Sequence, residues 1–335
     1  MDCLLTKIFH QFIFYWIVFS VLSFKSFSSQ SSELLGSVSI LLQGGSESAP
    51  NHSIISPSLK GKSVFRGQVE GALDNNISFY RIPDLLDPTV LSKPFKPGIF
   101  STQKARAVAV LSDNNFTIDR LDLIDGGNNY LEPPDVFIRF PTFTQGYNGI
   151  MQNAYARSQT VNSLVTGIIL TDAGNGYSQT PNVKIEGGPH YISLIDSDSN
   201  YTGKFYRISG NSGDQVTIEN PLNDSLQVIF SPDSEIEIFE AWTLGELLGY
   251  ESTSLNYIDP ITGAVTYDYL YLLTHPFSQN GNVGDFEGFF HDQTSWKRLD
   301  SPSVDASHQV ILPNQSFVIA RRSSDTLNLV LSGVA

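Results

Sequence analysis

The stretch Asp125–Ile138 reads DGGNNYLEPPDVFI, and the stretch Asp172–Ile185 reads DAGNGYSQTPNVKI. The two align without a gap at an offset of 47 residues and share the pattern D-[GA]-G-N-[NG]-Y-x-x-[PT]-P-[DN]-V-x-I. Gly127 and Gly174 permit the positive φ of a tight turn because glycine has no Cβ. The repeated pattern therefore predicts that each stretch is a unit of strand, turn and strand.

The tyrosines and prolines that the two units share support the same prediction. The rings of Tyr130 and Tyr177 can cover the turns, and Pro134 and Pro181 fix the entry into the next strand. The alternative is that the Asp, Asn and Tyr side chains bind a ligand or calcium. We favour the structural interpretation, because Gly, Asn and Asp are expected at turns in any case.

The same offset extends the alignment toward the N-terminal side. It matches Ala107 with Ala154 and Ala109 with Ala156. Two such units would stack by burying like faces.

Period-two runs of apolar residues recur along the rest of the chain, and turn-forming residues bound most of them. They are Val38–Leu42, Val64–Val69, Ile168–Leu170, Val183–Ile185, Val216–Ile218, Ile236–Phe239, Phe317–Ala320 and Leu327–Leu331. Long helical periodicity is scarce; the best helix candidate is Trp242–Tyr250, ended by Gly249. The sequence thus predicts a mainly β fold with a sandwich or barrel-like body.

The first residues have the layout of a cleavable signal peptide spanning residues 1–28. A charge at Lys7 precedes the apolar run Phe12–Leu22, Lys25 ends the run, and Ser26-Phe27-Ser28 supplies small residues at positions −3 and −1. An N-terminal membrane anchor is the alternative, but the run is short for a span of about 20 residues. We therefore expect a secreted, cell-surface or periplasmic protein without stable membrane insertion.

Composition narrows the classes of partner. Removal of residues 1–28 takes away Cys3, the single cysteine, so no disulfide can form within the remaining chain. It leaves 18 basic and 33 acidic residues, a net charge of −15. This balance argues against nucleic acid and anionic lipid as partners, because no basic stripe is present to neutralise phosphate.

The repeat resembles the Gly-x-Gly-Tyr-x-x-x-Pro-x-Val-x-Ile units of bacterial surface proteins and of some phage structural proteins. The flanking sequence resembles an uncharacterised secreted family of Verrucomicrobia-type bacteria. The motifs that carry this second resemblance are Gly36–Ser46, Ile55–Leu59, Phe65–Val69, Tyr191–Leu194, Gly203–Ile208, Asp214–Ile218, Ala241–Leu248, Trp296 and Phe317–Arg321. That family has no established activity, so the resemblance transfers no functional residues.

The resemblance implies that the repeat pair is an insertion. The expected organisation is a signal peptide at 1–28, an N-terminal β segment of the body at 29–103, inserted tandem β repeats at 104–190 and a C-terminal β-rich part of the body at 191–335.

One loop is a candidate calcium site. Asp196, Asp198 and Asn200 place oxygen donors at the first, third and fifth positions, as in an EF-hand loop. The loop lacks the glycine of the sixth position, where Tyr201 stands, and the glutamate of the twelfth, where Arg207 stands. An EF-hand is excluded, and a looser calcium site remains as an alternative to an ordinary hairpin loop. No other cofactor is expected.

Aromatic residues crowd the C-terminal third and include the candidate ligand-binding residues Trp242, Trp296 and Tyr267. Trp and Tyr faces stack on sugar rings, but such rings also fill β cores. The alternation places Tyr267, Tyr269 and Tyr271 on one face of a strand.

No catalytic residue is predicted. The sequence has no Gly-x-Ser-x-Gly elbow, and its histidines do not show zinc-ligand spacing. Glu235 and Glu237 could be a glycosidase pair, but alternating acids more simply mark the solvent face of a strand whose Ile236 and Ile238 face the core.

We therefore expect a non-catalytic structural or adhesive protein that binds polysaccharide or cell-envelope components. A secreted carbohydrate-active enzyme of the glycoside hydrolase type is the first alternative. A phage-like structural protein is the second.

Overall fold

The computed structural model describes residues 35–56, 60–83, 91–113, 116–140, 149–196, 199–250, 255–258, 265–273, 286–313 and 315–334. The described strands of the first half are β1 (Leu35–Leu42), β2 (Asn51–Ile55), β3 (Ser63–Leu73), β4 (Asn76–Phe79), β5 (Ile82–Pro83), β6 (Leu91–Ser92), β7 (Arg106–Leu111), β8 (Ile118–Asp125), β9 (Asp135–Ile138), β10 (Tyr155–Val161), β11 (Leu164–Asp172) and β12 (Val183–Ile185). Those of the second half are β13 (His190–Leu194), β14 (Phe205–Asn211), β15 (Gln215–Ile218), β16 (Glu235–Glu240), β17 (Trp242–Thr243), β18 (Asn256–Ile258), β19 (Val265–Tyr267), β20 (Tyr269–Leu273), β21 (Phe286–His291), β22 (Trp296–Arg298), β23 (Val310–Ile311), β24 (Phe317–Arg321) and β25 (Leu327–Val334). The described helices are α1 (Leu226–Ile229) and α2 (Leu244–Leu248). The predicted mainly β fold is confirmed.

Six of the described strands close an antiparallel barrel in the order β13-β14-β15-β4-β3-β16, and β16 pairs back onto β13. Closure removes the free strand edges that would otherwise expose unpaired backbone groups. Register shifts beside Gly71 and Gly210 bulge two of the strands, and bulges of this kind help strands to bend around a small barrel. The barrel interior is filled mainly by aliphatic and aromatic side chains: Val69, Ile77, Phe79, Ile192, Leu194, Tyr206, Ile208, Val216, Ile218, Ile236 and Ile238.

A second core lies under a five-stranded sheet of order β2-β24-β20-β21-β22. The antiparallel pair β1 and β25 and the helix α2 supply further residues to this core. Its largest member, Trp296, is fully buried. The described part of the body therefore has two large hydrophobic cores, each covered by its own set of strands, and a small cluster that contains Tyr191 and Phe239.

Strands β7 to β12 pair only with one another among the described strands. β7 and β8 form a hairpin, and a four-stranded sheet has the order β11-β10-β9-β12. Two small clusters lie between them: one contains Ala105, Ala107 and Tyr130, and the other contains Ala109 and Tyr177.

The two glycine turns of this segment have the same geometry. Gly127 and Gly174 have φ values of 63° and 61°. An added Cβ would lie 2.6 Å from the backbone nitrogen of Ala105 at the first turn, and 2.5 Å from that of Ala154 at the second. These are the nitrogens that donate to the hydroxyls of the turn tyrosines, Tyr130 and Tyr177, each at 3.0 Å.

These hydrogen bonds correct the alignment of the preceding strands. The turn tyrosine and its alanine are 25 residues apart in the first unit and 23 in the second. Ala105 is therefore the structural counterpart of Ala154, whereas the offset of 47 had matched Ala107 with it. The hairpin between β10 and β11 is shorter because Asn162 and Ser163, both with positive φ, make a two-residue turn.

The interpretation of the acids on β16 is partly wrong. Ile236 and Ile238 are buried as predicted, and Glu235 is exposed, but Glu237 is only 2% exposed. Lys60 and Arg66 cover its carboxylate and bind it; the Arg66 contact is 2.7 Å. Burial raises the pKa of Glu237, but the hydrogen bonds from Lys60 and Arg66 outweigh it and hold the pKa below its ordinary value.

Candidate functional site

One candidate surface is an aromatic face on the five-stranded sheet. Along β19 and β20 the side chains of Tyr267, Tyr269 and Tyr271 are half-buried, whereas the intervening Asp268 and Leu270 are fully buried. Strand alternation thus places the three tyrosines on the same side, as the sequence predicted.

A phenylalanine and an arginine complete this surface. The ring centroids of Tyr267 and Phe290 are 5.2 Å apart, and those of Tyr269 and Tyr271 are 6.4 Å apart. The guanidinium carbon of Arg322 lies 4.5 Å from the centre of the Tyr269 ring. We call Tyr267, Tyr269, Tyr271 and Phe290 the tyrosine face.

A buried ion pair holds the tyrosine face in place. Asp268, between Tyr267 and Tyr269, accepts hydrogen bonds from the side chain of Arg321 and from the backbone nitrogens of Arg322 and Ser323. Burial raises the pKa of the Asp268 carboxyl, although these partners act to lower it. The bonds tie the start of β20 to the end of β24 and so fix the two tyrosines on either side.

A glycine makes room for the ring of Tyr271. Gly288 lies directly across from Tyr271 in the pairing of β20 and β21. A Cβ at this position would lie 3.2 Å from the Tyr271 ring and 2.4 Å from a methyl carbon of Leu299. A side chain here would overlap Leu299 and press on the Tyr271 ring, so the glycine helps to shape the surface.

A second candidate site is a cleft of about 480 Å³ between strands β7 and β12 on one side and the segment from β16 to α2 on the other. Its lining combines charged, aromatic and small residues: Lys104, Ala105, Arg106, Ala107, Asn182, Val183, Lys184, Ile185, Glu240, Ala241, Trp242, Gly245, Glu246, Gly249 and Tyr250. Sites for small ligands typically have about this size and such a mixture of apolar and polar groups.

Two ion pairs bridge the walls of the cleft. The ammonium of Lys104 lies 2.9 Å from a carboxylate oxygen of Glu246, and Lys184 binds Glu240. Burial acts to raise the pKa of Glu240, but the charges of Lys104 and Lys184 hold it below its ordinary value. Burial likewise acts to lower the pKa of Lys104, and Glu246 and Glu240 raise it. Both groups therefore stay charged at neutral pH.

The structure places the predicted ligand-binding residues in three different environments. Trp242 is half-buried and lines the cleft. Tyr267 belongs to the tyrosine face. Trp296 is fully buried, and its indole nitrogen donates to the carbonyl of Gly249 at 2.9 Å. Trp296 is therefore a core residue with no ring face open to a sugar, which corrects its selection as a stacking residue.

The predicted calcium ligands fall on the hairpin between β13 and β14. Asp196 is half-buried and Asn200 is exposed, whereas Asp198 lies outside the described residues. The loop is closed by the hydroxyl of Thr202, whose oxygen lies within hydrogen-bond distance of the carbonyls of Asp196 and Ser199. Among the described residues, no group of three or more His, Cys, Asp or Glu side chains is placed to hold a metal ion. The calcium site stays a prediction.

The sequence did not reveal the cleft. Its walls come from parts of the chain about 140 residues apart, as the ion pair between Lys104 and Glu246 shows. Of the cleft residues, the sequence analysis had noted Tyr250 as the last residue of the predicted helix segment. No spacing in the sequence connects Tyr250 with Arg106.

Comparisons with protein-family models, with curated proteins and with solved structures each found no match. None of the helices in the described part of the chain is long and apolar enough to span a membrane.

Proposed function

We propose that this protein is a secreted or cell-surface, non-catalytic adhesive protein that binds polysaccharide through the tyrosine face. The observation that supports this proposal is the row of half-buried rings on one side of β19, β20 and β21. Sugar rings present C–H faces that pack on aromatic rings, and aromatic side chains contribute large contact areas at little conformational cost.

The surroundings of the tyrosine face suit a long, uncharged ligand. Ile54 is 77% exposed and pairs through Val318 with Tyr271, so apolar surface continues across the sheet. Arg322 lies beside Tyr269; its guanidinium donates to the carbonyl of Tyr267 and pairs with Glu47, and its remaining N–H groups can donate to a ligand. A shallow strip of this kind can contact several successive sugar units, whereas a deep pocket would enclose one.

Export and family membership belong to the same proposal. They are supported by the signal-peptide layout of residues 1–28 and by the motifs that resemble the Verrucomicrobia-type secreted family. The strongly acidic composition suits a protein that remains soluble outside the cell.

The glycoside hydrolase alternative finds less support in the cleft. A glycosidase needs a general acid whose carboxyl has a raised pKa. Glu240 and Glu246 both line the cleft, but each is bound by a lysine, and the pKa of Glu240 is shifted down. Each of the two carboxylates is thus bound by a lysine. A glycosidase instead needs two different environments, one for its general acid and one for its nucleophile.

The test is retention of the purified protein on a panel of insoluble polysaccharides and isolated cell envelopes, with calcium and with chelator. We expect retention that survives moderate salt, and a fall in apparent affinity of roughly tenfold in Tyr269→Ala, because stacked aromatic contacts contribute on the order of 1 kcal/mol. Tyr155→Ala is the matched control, since Tyr155 is 59% exposed on β10, away from the tyrosine face.

Three results would count against the proposal. They are absence of retention on every surface, equal retention of Tyr269→Ala and the unaltered protein, and a loss of the same size in Tyr155→Ala. Loss of retention in the chelator arm would add calcium to the binding mechanism and would direct attention to the loop at Asp196–Thr202.

A further inference from the structure

The cleft differs in charge from the rest of the chain. Its lining includes three cations, Lys104, Arg106 and Lys184, and two carboxylates, Glu240 and Glu246. The formal charge of this lining is therefore positive, in a chain whose net charge is −14. Local charge of this sign favours an anionic ligand over a cationic one.

The two carboxylates of the cleft are already neutralised. Glu246 accepts from Lys104, and Glu240 accepts from Lys184. The surplus positive charge consequently belongs to Arg106, which forms no ion pair with a carboxylate in the described ranges of the chain.

The position of Arg106 follows from strand alternation. Its neighbours Ala105 and Ala107 are buried in the small core beneath β7, so the side chain of Arg106 projects to the opposite side and lines the cleft. Its guanidinium carbon lies 3.4 Å from the centre of the Tyr250 ring. Such stacking leaves the N–H groups at the edge of the guanidinium plane directed away from the ring.

The Tyr250 ring is itself fixed by several contacts. It packs against Gly245 of α2, where a Cβ would lie 2.3 Å from the ring. The Tyr250 hydroxyl lies 3.2 Å from the hydroxyl of Thr243. The backbone carbonyl oxygen of Tyr250 lies 3.0 Å from Nε2 of His291. Burial raises the pKa of Tyr250 to about 12, so the ring stays neutral beneath the arginine. The guanidinium is thereby held in place before any ligand arrives.

We propose that this cleft is a second binding site, which takes a sugar carrying a carboxylate group, of the uronic acid class. The planar guanidinium of Arg106 matches a carboxylate through two parallel hydrogen bonds. Trp242 packs partly against the second core and is only half-buried, so the part of it that lines the cleft offers a stacking surface. The amide of Asn182 offers a donor and an acceptor to hydroxyls. This site is separate from the tyrosine face and does not depend on its function.

Titration of the purified protein with glucuronate tests the proposal. Binding can be followed by tryptophan fluorescence, because Trp242 lines the cleft whereas Trp296 is fully buried. We expect glucuronate to bind at least tenfold more tightly than glucose and than cyclohexanecarboxylate, a carboxylate of similar size without hydroxyls. The affinity should fall as salt is raised, since the attraction is between charges.

Variants at Arg106 separate the roles of charge and geometry. Arg106→Gln should weaken glucuronate binding at least tenfold. The affinity of Arg106→Lys should lie between those of Arg106→Gln and the unaltered protein, because lysine keeps the charge but not the planar arrangement of donors. Arg120→Gln is the matched control: Arg120 is an exposed arginine on β8 that pairs with Asp119 and Asp122. Thermal unfolding of each variant confirms that it is folded at the titration temperature.

The proposal is overturned if Arg106→Gln binds glucuronate as well as the unaltered protein does, or if glucose binds as tightly. Equal or tighter binding of cyclohexanecarboxylate would also overturn it, because the site would then recognise a carboxylate without the sugar. Tyr269→Ala should leave glucuronate binding unchanged, so failure of this proposal is distinguishable from failure of the polysaccharide proposal.

Discussion

The closed barrel and the segment from Ala105 to Ile185 are both built from period-two strands, but they bury their apolar residues in different ways. In the barrel, Ile192, Ile236 and Ile238 are completely shielded from solvent. In the segment, alanines and two turn tyrosines form two small clusters, with several aliphatic residues only partly buried around them. Large side chains such as Phe137 remain 55% exposed there.

The difference shows what each arrangement relies on for stability. Closure of six strands surrounds one apolar interior, so buried area contributes most of the stability. Stacking a hairpin on a sheet leaves smaller interiors, and the hydrogen bonds of the glycine turns become a larger share of the stabilisation. The predictions that follow test this difference, from the largest expected effect to the smallest.

Truncation of a core isoleucine should cost more in the barrel than in the segment. Ile238→Ala should lower the free energy of unfolding by about 4 kcal/mol, because Ile238 is fully buried and its loss leaves a cavity. Ile185→Ala, at a site 1% exposed in the smaller cluster, should cost about 2 kcal/mol because its surroundings can relax. Denaturant unfolding measures both, and equal losses would show that the two cores are equivalent.

Substitution of a turn glycine tests the turn geometry. Gly174→Ala should destabilise by about 3 kcal/mol, because the backbone has a positive φ and the new Cβ would collide with the backbone of Ala154. Gly203→Ala is the control: its φ is 80°, but no atom lies within 4 Å of an added Cβ. We expect the control to cost only about 1 kcal/mol. Similar losses in thermal or denaturant unfolding would leave no role for the close contact.

His190 should make stability depend on pH where the segment meets the barrel. It begins β13, its ring lies 4.6 Å from that of Phe100, and its Nδ1 donates to the carbonyl of Gly188. Burial lowers the pKa of His190 to about 4. The charge of Lys104 also acts to lower this pKa, whereas the charge of Glu240 acts to raise it. Because the folded pKa lies below the unfolded value of about 6.5, the unfolded chain binds the proton first.

Stability from His190 is therefore fully present above pH 6.5 and is lost as the pH falls toward 4. At pH 4.5 the loss should be roughly 2 to 3 kcal/mol. His190→Asn should flatten this part of the stability profile in urea unfolding. An unchanged slope in His190→Asn would contradict the assignment.

The smallest expected effects are those of the turn tyrosines. Tyr130→Phe and Tyr177→Phe each remove the acceptor of one buried backbone N–H, from Ala105 and Ala154 respectively. Each substitution should cost about 1 to 2 kcal/mol, because the donor loses its partner without regaining water. Similar values from denaturant unfolding would show that the two turns are equivalent energetically as well as in geometry.

Local features were predictable because neighbouring residues determine them. The eight predicted strands are present, the helix α2 ends before Gly249 as expected, and the tyrosines of β19 and β20 alternate with buried residues. Alternation does not say which partner covers a side chain, however. From the sequence, Glu237 was interpreted as a solvent-facing acid, but in the structure Lys60 and Arg66 cover it. Trp296 was a candidate for sugar stacking, but in the structure it is fully buried.

The sequence by itself determined eight of the described strands, the two glycine turns and the common face of the tyrosines, because φ preferences and the two-residue period act over a few neighbouring bonds. Only the tertiary structure decided the closure of the barrel and the two-residue difference in alignment between the two repeat units. It alone also decided the cleft in which Arg106 stacks on Tyr250. Those features depend on contacts between residues far apart in the chain, and such contacts form only when the whole set of strands has paired.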